Sequence, residues 1–293
     1  MKKSIYSAVL FTGILSLSVL FAYTAQKENK EIGLQLYSLR ADIKSQGIEK
    51  VLQEVAKMGY TQLELAGYRK GLVYGIAPMQ FKKMSNKYGL EITSSHVVKK
   101  ISKNPEADGA FWATTIKHHA DMEVKYIIMP ILPLKNSYPF KKDNPITMTD
   151  VDATCDYFTK IGKKANAAGL KFGFHNHAHE HKIEVDGTPI FDLMLEKLDP
   201  KDVVFQMDVY WVKEGGYDPV DYLKKYAGRF PLLHVKDEHG VGSSGLTNFK
   251  RIFKAAYKQG MEAYYVEVEE YIKTPMEEVQ MSFDFLNKAK YVK

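Results

Sequence analysis

Six ionisable residues stand at matching places along this chain: Glu64, His96, His175, Asp208, His234 and Glu267. Each lies near the end of a short apolar run, on the alternation opposite to the run's own apolar side chains. Burying three carboxylates and three imidazoles together, unpaired, would cost several kcal/mol for each group. A divalent cation would neutralise the carboxylates and accept the imidazole lone pairs. A network of His–carboxylate ion pairs would satisfy the same groups without a metal, so the residues alone leave both arrangements open.

The runs that carry these residues recur with helical segments between them. They are IGLQLY (32–37), TQLELA (61–66), LEITSSH (90–96), VKYIIMP (124–130), LKFGFHNH (170–177), DVVFQMDV (202–209), PLLHVKD (231–237) and AYYVEVE (263–269). Length, β-branched or aromatic content and flanking breakers mark each as a buried strand. Helical periodicity appears in IEKVLQEVAKMG, ending at Gly59, in MTDVDATCDYFTKIGKKANAAG, ending at Gly169, and in FKRIFKAAYKQG, ending at Gly260. TPMEEVQMSFDFLNKAK supplies a last helix. Glycine after a helix is the expected left-handed stop. Eight β-α units indicate an α/β fold of the (β/α)8 TIM-barrel type, a parallel sheet closed on itself. An open doubly wound sheet would carry a glycine-rich phosphate turn after its first strand, where this chain reads SLRADI.

Alternation along strands then decides what faces the barrel interior. The inward sets are Gly33, Gln35 and Tyr37; Gln62 and Glu64; Ile92, Ser94 and His96; Gly173, His175 and His177; Val204, Gln206 and Asp208; His234 and Lys236; and Tyr265, Glu267 and Glu269. Glu64, His96, His175, Asp208, His234 and Glu267 thus converge at the C-terminal rim, where barrel enzymes build their active sites.

The rest of the composition narrows the class. The chain has 293 residues, 45% hydrophobic and 26% charged, which excludes a disordered or fibrous protein. A mean hydropathy of -0.30 excludes a multi-span membrane protein. Residues 1–25 combine Lys2 and Lys3 with an apolar stretch and small residues, the pattern of a secretory signal. That places a single catalytic domain at 26–293 in a secreted, periplasmic setting, with an uncleaved anchor as the alternative. Without Lys2 and Lys3 the formal charge falls from +6 to +4, spread among acidic residues, so no nucleic-acid footprint is expected. One cysteine, Cys155, excludes an internal disulfide and any cysteine-rich zinc site.

Taken in order, GLQLYSLR, HNHAHE, MDVYW, HVKD and VEVEEY resemble the xylose-isomerase-like barrel family, often described as sugar phosphate isomerases/epimerases. The resemblance runs from about Gly33 to Leu286. It implies one divalent metal, commonly Mn²⁺, Zn²⁺ or Co²⁺, held by residues from strands five to eight. The matching positions are His175, Asp208, His234 and Glu267, with His where many relatives have Glu. Imidazole in place of carboxylate favours borderline metals and removes one carboxylate of the family's proton-transfer pair. His177, on the same face, is the alternative ligand, and His179, Glu180 and His181 continue the histidine cluster.

A metal so placed implies proton abstraction next to a carbonyl and a metal-stabilised enediolate. His96, Glu267 and His177 are the candidate bases. Lys236 is a candidate for binding a substrate oxygen, and Tyr37, Glu64 and Trp211 for holding a sugar. Reprotonation gives isomerisation or epimerisation. Loss of a β-leaving group makes the enzyme a dehydratase, or a lyase acting on a 3-keto-glycoside. A secretory signal and the lack of a phosphate motif point to a non-phosphorylated sugar or glycoside. Two further readings are a barrel that binds carbohydrate without catalysis and a metal-dependent endonuclease of the same fold. The leader and the scattered charge argue against the nuclease. Family barrels often associate, so a homo-oligomer is an expectation from resemblance alone.

Overall fold

The computed structural model describes residues 30–134 and 145–293. The expected leader, 1–25, lies outside the described residues. Eight parallel strands close a barrel: β1 (Gly33–Gln35), β2 (Gln62–Leu65), β3 (Glu91–His96), β4 (Tyr126–Met129), β5 (Lys171–His175), β6 (Val203–Asp208), β7 (Leu232–Val235) and β8 (Ala263–Val266). Neighbours in sequence are neighbours in the sheet, and β8 pairs with β1 to complete the ring. Every strand is shorter than its apolar run suggested. In consequence His177, Lys236, Glu267 and Glu269 stand beyond strand ends, in the segments that form the mouth.

The helices follow the sequence periodicity. Helix Ile48–Met58 buries Ile48, Val51, Leu52 and Val55, the i, i+3, i+4, i+7 stripe of a surface helix, and stops at Gly59 in the left-handed conformation. A Cβ at Gly59 would stand 2.5 Å from the Phe283 ring, so the last helix packs directly on that turn. Thr147 and Thr274 open the helices Met148–Ala167 and Pro275–Lys288 with reciprocal capping boxes to Asp150 and Glu277. The last helix ends against Lys30, whose ammonium donates to the carbonyls of Leu286 (3.0 Å), Asn287 (2.8 Å) and Ala289 (2.6 Å). A cation at these carbonyls satisfies the helix's open C-terminal end.

Eleven α-helices are present among the described residues, three more than one per strand. The additional ones, Arg40–Gln46, Ala178–Lys182 and Val209–Glu214, closely follow β1, β5 and β6 at the mouth. Two small hairpins, 68–73 and 184–189, also lie outside the barrel ring.

Inside the ring, Tyr126, Ile128, Leu232 and Tyr265 pack into a compact apolar cluster with Val204 and Ala263. Gly33 faces this cluster, and a Cβ there would meet the Tyr265 ring at 2.5 Å. One expected inward position is corrected. The β2–β3 register slips between Leu63 and Glu64, so β3 carries one extra residue. After this bulge Ile92 belongs to the outer core, while Thr93 bonds the Tyr265 hydroxyl (2.8 Å) inside the barrel. Ser94 and His96 keep their inward places.

Candidate active site

Above the apolar cluster the interior turns polar, and its centre is Glu64. This carboxylate is fully buried and accepts hydrogen bonds from Gln35 Nε2 (2.8 Å), Ser94 Oγ (2.5 Å) and Gln206 Nε2 (2.8 Å). His234 Nε2 makes a short bond to the same group, and His96 Nε2 lies 3.2 Å away. Burial raises the Glu64 pKa, but His96 and His234 outweigh it and hold the carboxyl below its ordinary value. Glu64 was expected to hydrogen-bond a sugar. With its oxygens committed to protein donors, it instead anchors the groups around it.

The anchor fixes tautomers. Because Gln206 Nε2 donates to Glu64, Gln206 Oε1 must face the other way, towards His96 Nε2 (2.8 Å) and His175 Nδ1 (3.1 Å). Both ring nitrogens therefore carry protons, so a neutral ring keeps its lone pair on Nδ1 in His96 and on Nε2 in His175. Burial, reinforced by His234, His177 and His96, pushes His175 well below its ordinary pKa and keeps it neutral.

Asp208 ends β6 and opens helix Val209–Glu214. Its Oδ1 accepts the amides of Tyr210 (2.9 Å) and Trp211 (3.0 Å), a local N-cap that fixes the side chain. Its own amide donates to Asn176 Oδ1 (3.0 Å), tying β6 to the loop after β5. Asp208 Oδ2 is buried without a hydrogen bond, 3.9 Å from His234 Nδ1. Burial pushes the Asp208 carboxyl up to about 7, with Glu267 adding to the rise against Lys236. His234 lies between two acids, its Nδ1 3.1 Å from Glu267 Oε2. Burial opposes its charge, yet Glu267 and Glu64 raise its pKa to about 10.

His175, Asp208, His234 and Glu267 each place a donor atom within 4.8 Å of the others. This geometry brings His175, and not His177, into the set. Two imidazoles and two carboxylates suit a borderline or hard divalent ion. Asp208 Oδ2 has no hydrogen bond that a cation would displace, and His234 Nε2 is backed by a carboxylate, as metal-bound histidines commonly are. The residues fit the group.

A cavity of about 740 Å³ opens over this floor, a volume typical of small-molecule sites. Tyr37, His96, His175, His177, His179, Trp211, Glu267 and Glu269 line it together with Val98, Ile131 and Ile183. Tyr37 is 42% exposed and lies beneath the Arg40 guanidinium. Trp211 Nε1 is buried without a hydrogen bond. Lys236, which a rim position would leave in solvent, is 2% exposed. It bonds Glu269, stands 3.5 Å from Glu267 and covers the Trp211 ring at 4.5 Å. Burial disfavours the Lys236 charge, but Glu267, Asp208 and Glu269 raise its pKa. The same lysine, with His234, overcomes burial to hold Glu267 well below the carboxylate range.

The histidine run after β5 divides. His177 caps helix Ala178–Lys182 on the cavity wall, and burial lowers its pKa to about 4. His181 turns away from the cavity and packs among Phe191, Tyr217 and Tyr222, so it does not extend the cluster. Gln35, Ser94 and Gln206 were not foreseen as site residues. Their inward positions were visible, but they do not titrate, and charge was the signal that singled out the others.

Comparison with known proteins agrees with this fold. The xylose isomerase-like TIM barrel model matches residues 52–289, and the chain belongs to that family. A solved sugar phosphate isomerase/epimerase from Parabacteroides distasonis is 37% identical, covering 90% of this chain and 100% of its own, with a TM-score of 0.80. A D-psicose 3-epimerase from Clostridium cellulolyticum, solved with D-tagatose, is 17% identical over 89% of this chain and 99% of its own. Its TM-score of 0.66 shows the shared fold. The inosose dehydratase of Geobacillus kaustophilus is 25% identical over 197 residues, 64% of this chain and 61% of that relative. The chain thus spans about three-fifths of that dehydratase.

Proposed function

We propose that this protein is a metal-dependent enzyme that removes a proton next to a carbonyl in a non-phosphorylated sugar or glycoside and returns it, as an isomerase or epimerase. The observation that carries this reading is the four-donor set on the cavity floor, with the buried Asp208 Oδ2 lacking a hydrogen-bond partner. A divalent cation such as Mn²⁺, Zn²⁺ or Co²⁺, held by His175, Asp208, His234 and Glu267, would polarise the carbonyl and stabilise the enediolate left by proton loss.

The protein's own groups take defined parts. His96 lines the cavity with its Nε2 proton held by Gln206, so its Nδ1 is the base available for the substrate proton. Glu267 is the second candidate, held ionised by Lys236 and His234. Lys236 orients Glu267 and Glu269 and is covered by Trp211. Tyr37 and Trp211 offer ring faces to a sugar. Lys182 is the one lysine or arginine among the described lining residues, which favours a neutral ligand over a phosphorylated one. The leader-like segment supports work outside the cytoplasm, which cell fractionation would check.

A second reading, elimination, is favoured by the inosose dehydratase match and by His177 and His179, which could protonate a leaving group. Elemental analysis and solvent-deuterium exchange test both readings. The wild type should hold the floor metal and incorporate deuterium into a sugar or 3-keto-glycoside. Asp208→Ala with His234→Ala should lose both properties. Exchange with recovery of an isomer supports the first reading, and an unsaturated product supports the second. Failure to bind any metal on the floor would leave a carbohydrate-binding barrel.

A further inference from the structure

We propose that His177, His179 and Glu180 form a second divalent-metal site on the wall of the cavity, separate from the donor set on its floor and suited to Zn²⁺ or Co²⁺. One ring nitrogen from each histidine and a carboxylate oxygen of Glu180 lie within 4.8 Å of one another. Helix Ala178–Lys182 builds this arrangement locally. Glu180 Oε2 accepts the His177 amide (2.7 Å), which locks the buried carboxylate in place and turns Oε1 towards His179 Nε2, 2.7 Å away. The His177 and His179 rings lie nearly parallel, 8° apart, with centroids separated by 5.4 Å.

Helix capping accounts for one oxygen of Glu180 and leaves the other turned to His179. His177 Nδ1 is buried and makes no hydrogen bond, a cost that a cation bound at that nitrogen would offset. Two imidazoles and one carboxylate are the ligand set of open zinc sites, which keep a fourth position for water or a substrate oxygen. Here that position faces the cavity, because both His177 and His179 line it. The wall site adjoins the floor, with the His177 ring 4.9 Å from that of His175, but shares no ligand with it.

The test uses the full chain, stripped with a chelator and titrated with Zn²⁺ alone, with bound metal counted by elemental analysis and calorimetry. The wild type should take two equivalents. His179→Ala and Glu180→Gln should each take one, the glutamine retaining an acceptor for the His177 amide. Asp208→Ala with His234→Ala should keep the wall equivalent, so loss of the floor reading and loss of this one are separable. Unchanged stoichiometry and affinity in both His179→Ala and Glu180→Gln would overturn the proposal, as would a single wild-type equivalent that disappears with Asp208 and His234. As a check that needs no variant, the second equivalent of Co²⁺ should add its own visible absorption bands. A spectrum that stops changing after one equivalent would count against the wall site.

Discussion

The two storeys of the barrel interior are built on the same strands and the same alternation, yet they do opposite things. The lower storey is Tyr126, Ile128, Leu232 and Tyr265, closed and apolar. Two residues further along β7, Leu232 gives way to His234, and just past β8 Tyr265 gives way to Glu267. Facing is therefore set by parity, and chemical role by height along the strand. The lower storey also acts on the upper one. It excludes water from below, so the carboxylates and imidazoles above it interact in a poorly screened medium, where partners shift pKa values strongly.

Breaking the upper storey should cost most. Glu64→Ala would strand the buried partners Gln35, Ser94, Gln206 and His234, with an expected loss of about 3–5 kcal/mol read from denaturant unfolding. Glu64→Gln preserves the shape but removes the carboxylate behind His234, and should weaken floor-metal binding by about 10–100-fold in a competition titration. In the lower storey, Gly33→Ala drives a methyl to within 2.5 Å of the Tyr265 ring and 2.7 Å of the Tyr264 carbonyl. Overpacking there should cost about 1–3 kcal/mol in thermal unfolding and leave metal stoichiometry unchanged.

Acidity separates the storeys further. His234 is raised in the folded protein from 6.5 to about 10, so its contribution to stability is complete below 6.5 and is lost as pH rises through about 10. Asp208, raised from 3.8 to about 7, adds to the decline between those values. Glu64 and Glu267 are held low and oppose this at the acid end, where their contribution is lost as pH falls below 4.5. Metal-free protein should accordingly lose Tm from mildly acidic to alkaline pH, and His234→Gln should flatten the alkaline limb. The smallest effect is expected from Tyr265→Phe, which removes the hydroxyl bonded to Thr93, at about 0.5–1.5 kcal/mol with the pH profile unmoved.

The barrel was legible because each strand announces itself as an apolar run, and Glu64, His96, His175, Asp208, His234 and Glu267 all sit near strand ends as expected. The local departures were not. Nothing in EITSSH reveals that one residue is spare, since a bulge is decided by how β3 must meet β2. Composition could not tell that Lys236 would be drawn inside, because that depends on Glu267 and Glu269 arriving from the neighbouring strand. Glu64 showed its charge but not its depth. The three short helices at the mouth are one or two turns long, below the length at which periodicity speaks.

The grip of Lys30 on the carbonyl end of the last helix has a practical meaning for handling the molecule. Strands leave the base and arrive at the mouth, so a residue just ahead of β1 and the end of the final helix both belong to the base. Residue 30 therefore stands at the pole opposite the cavity mouth. Immobilised by that end, the barrel presents its opening outward to whatever diffuses past.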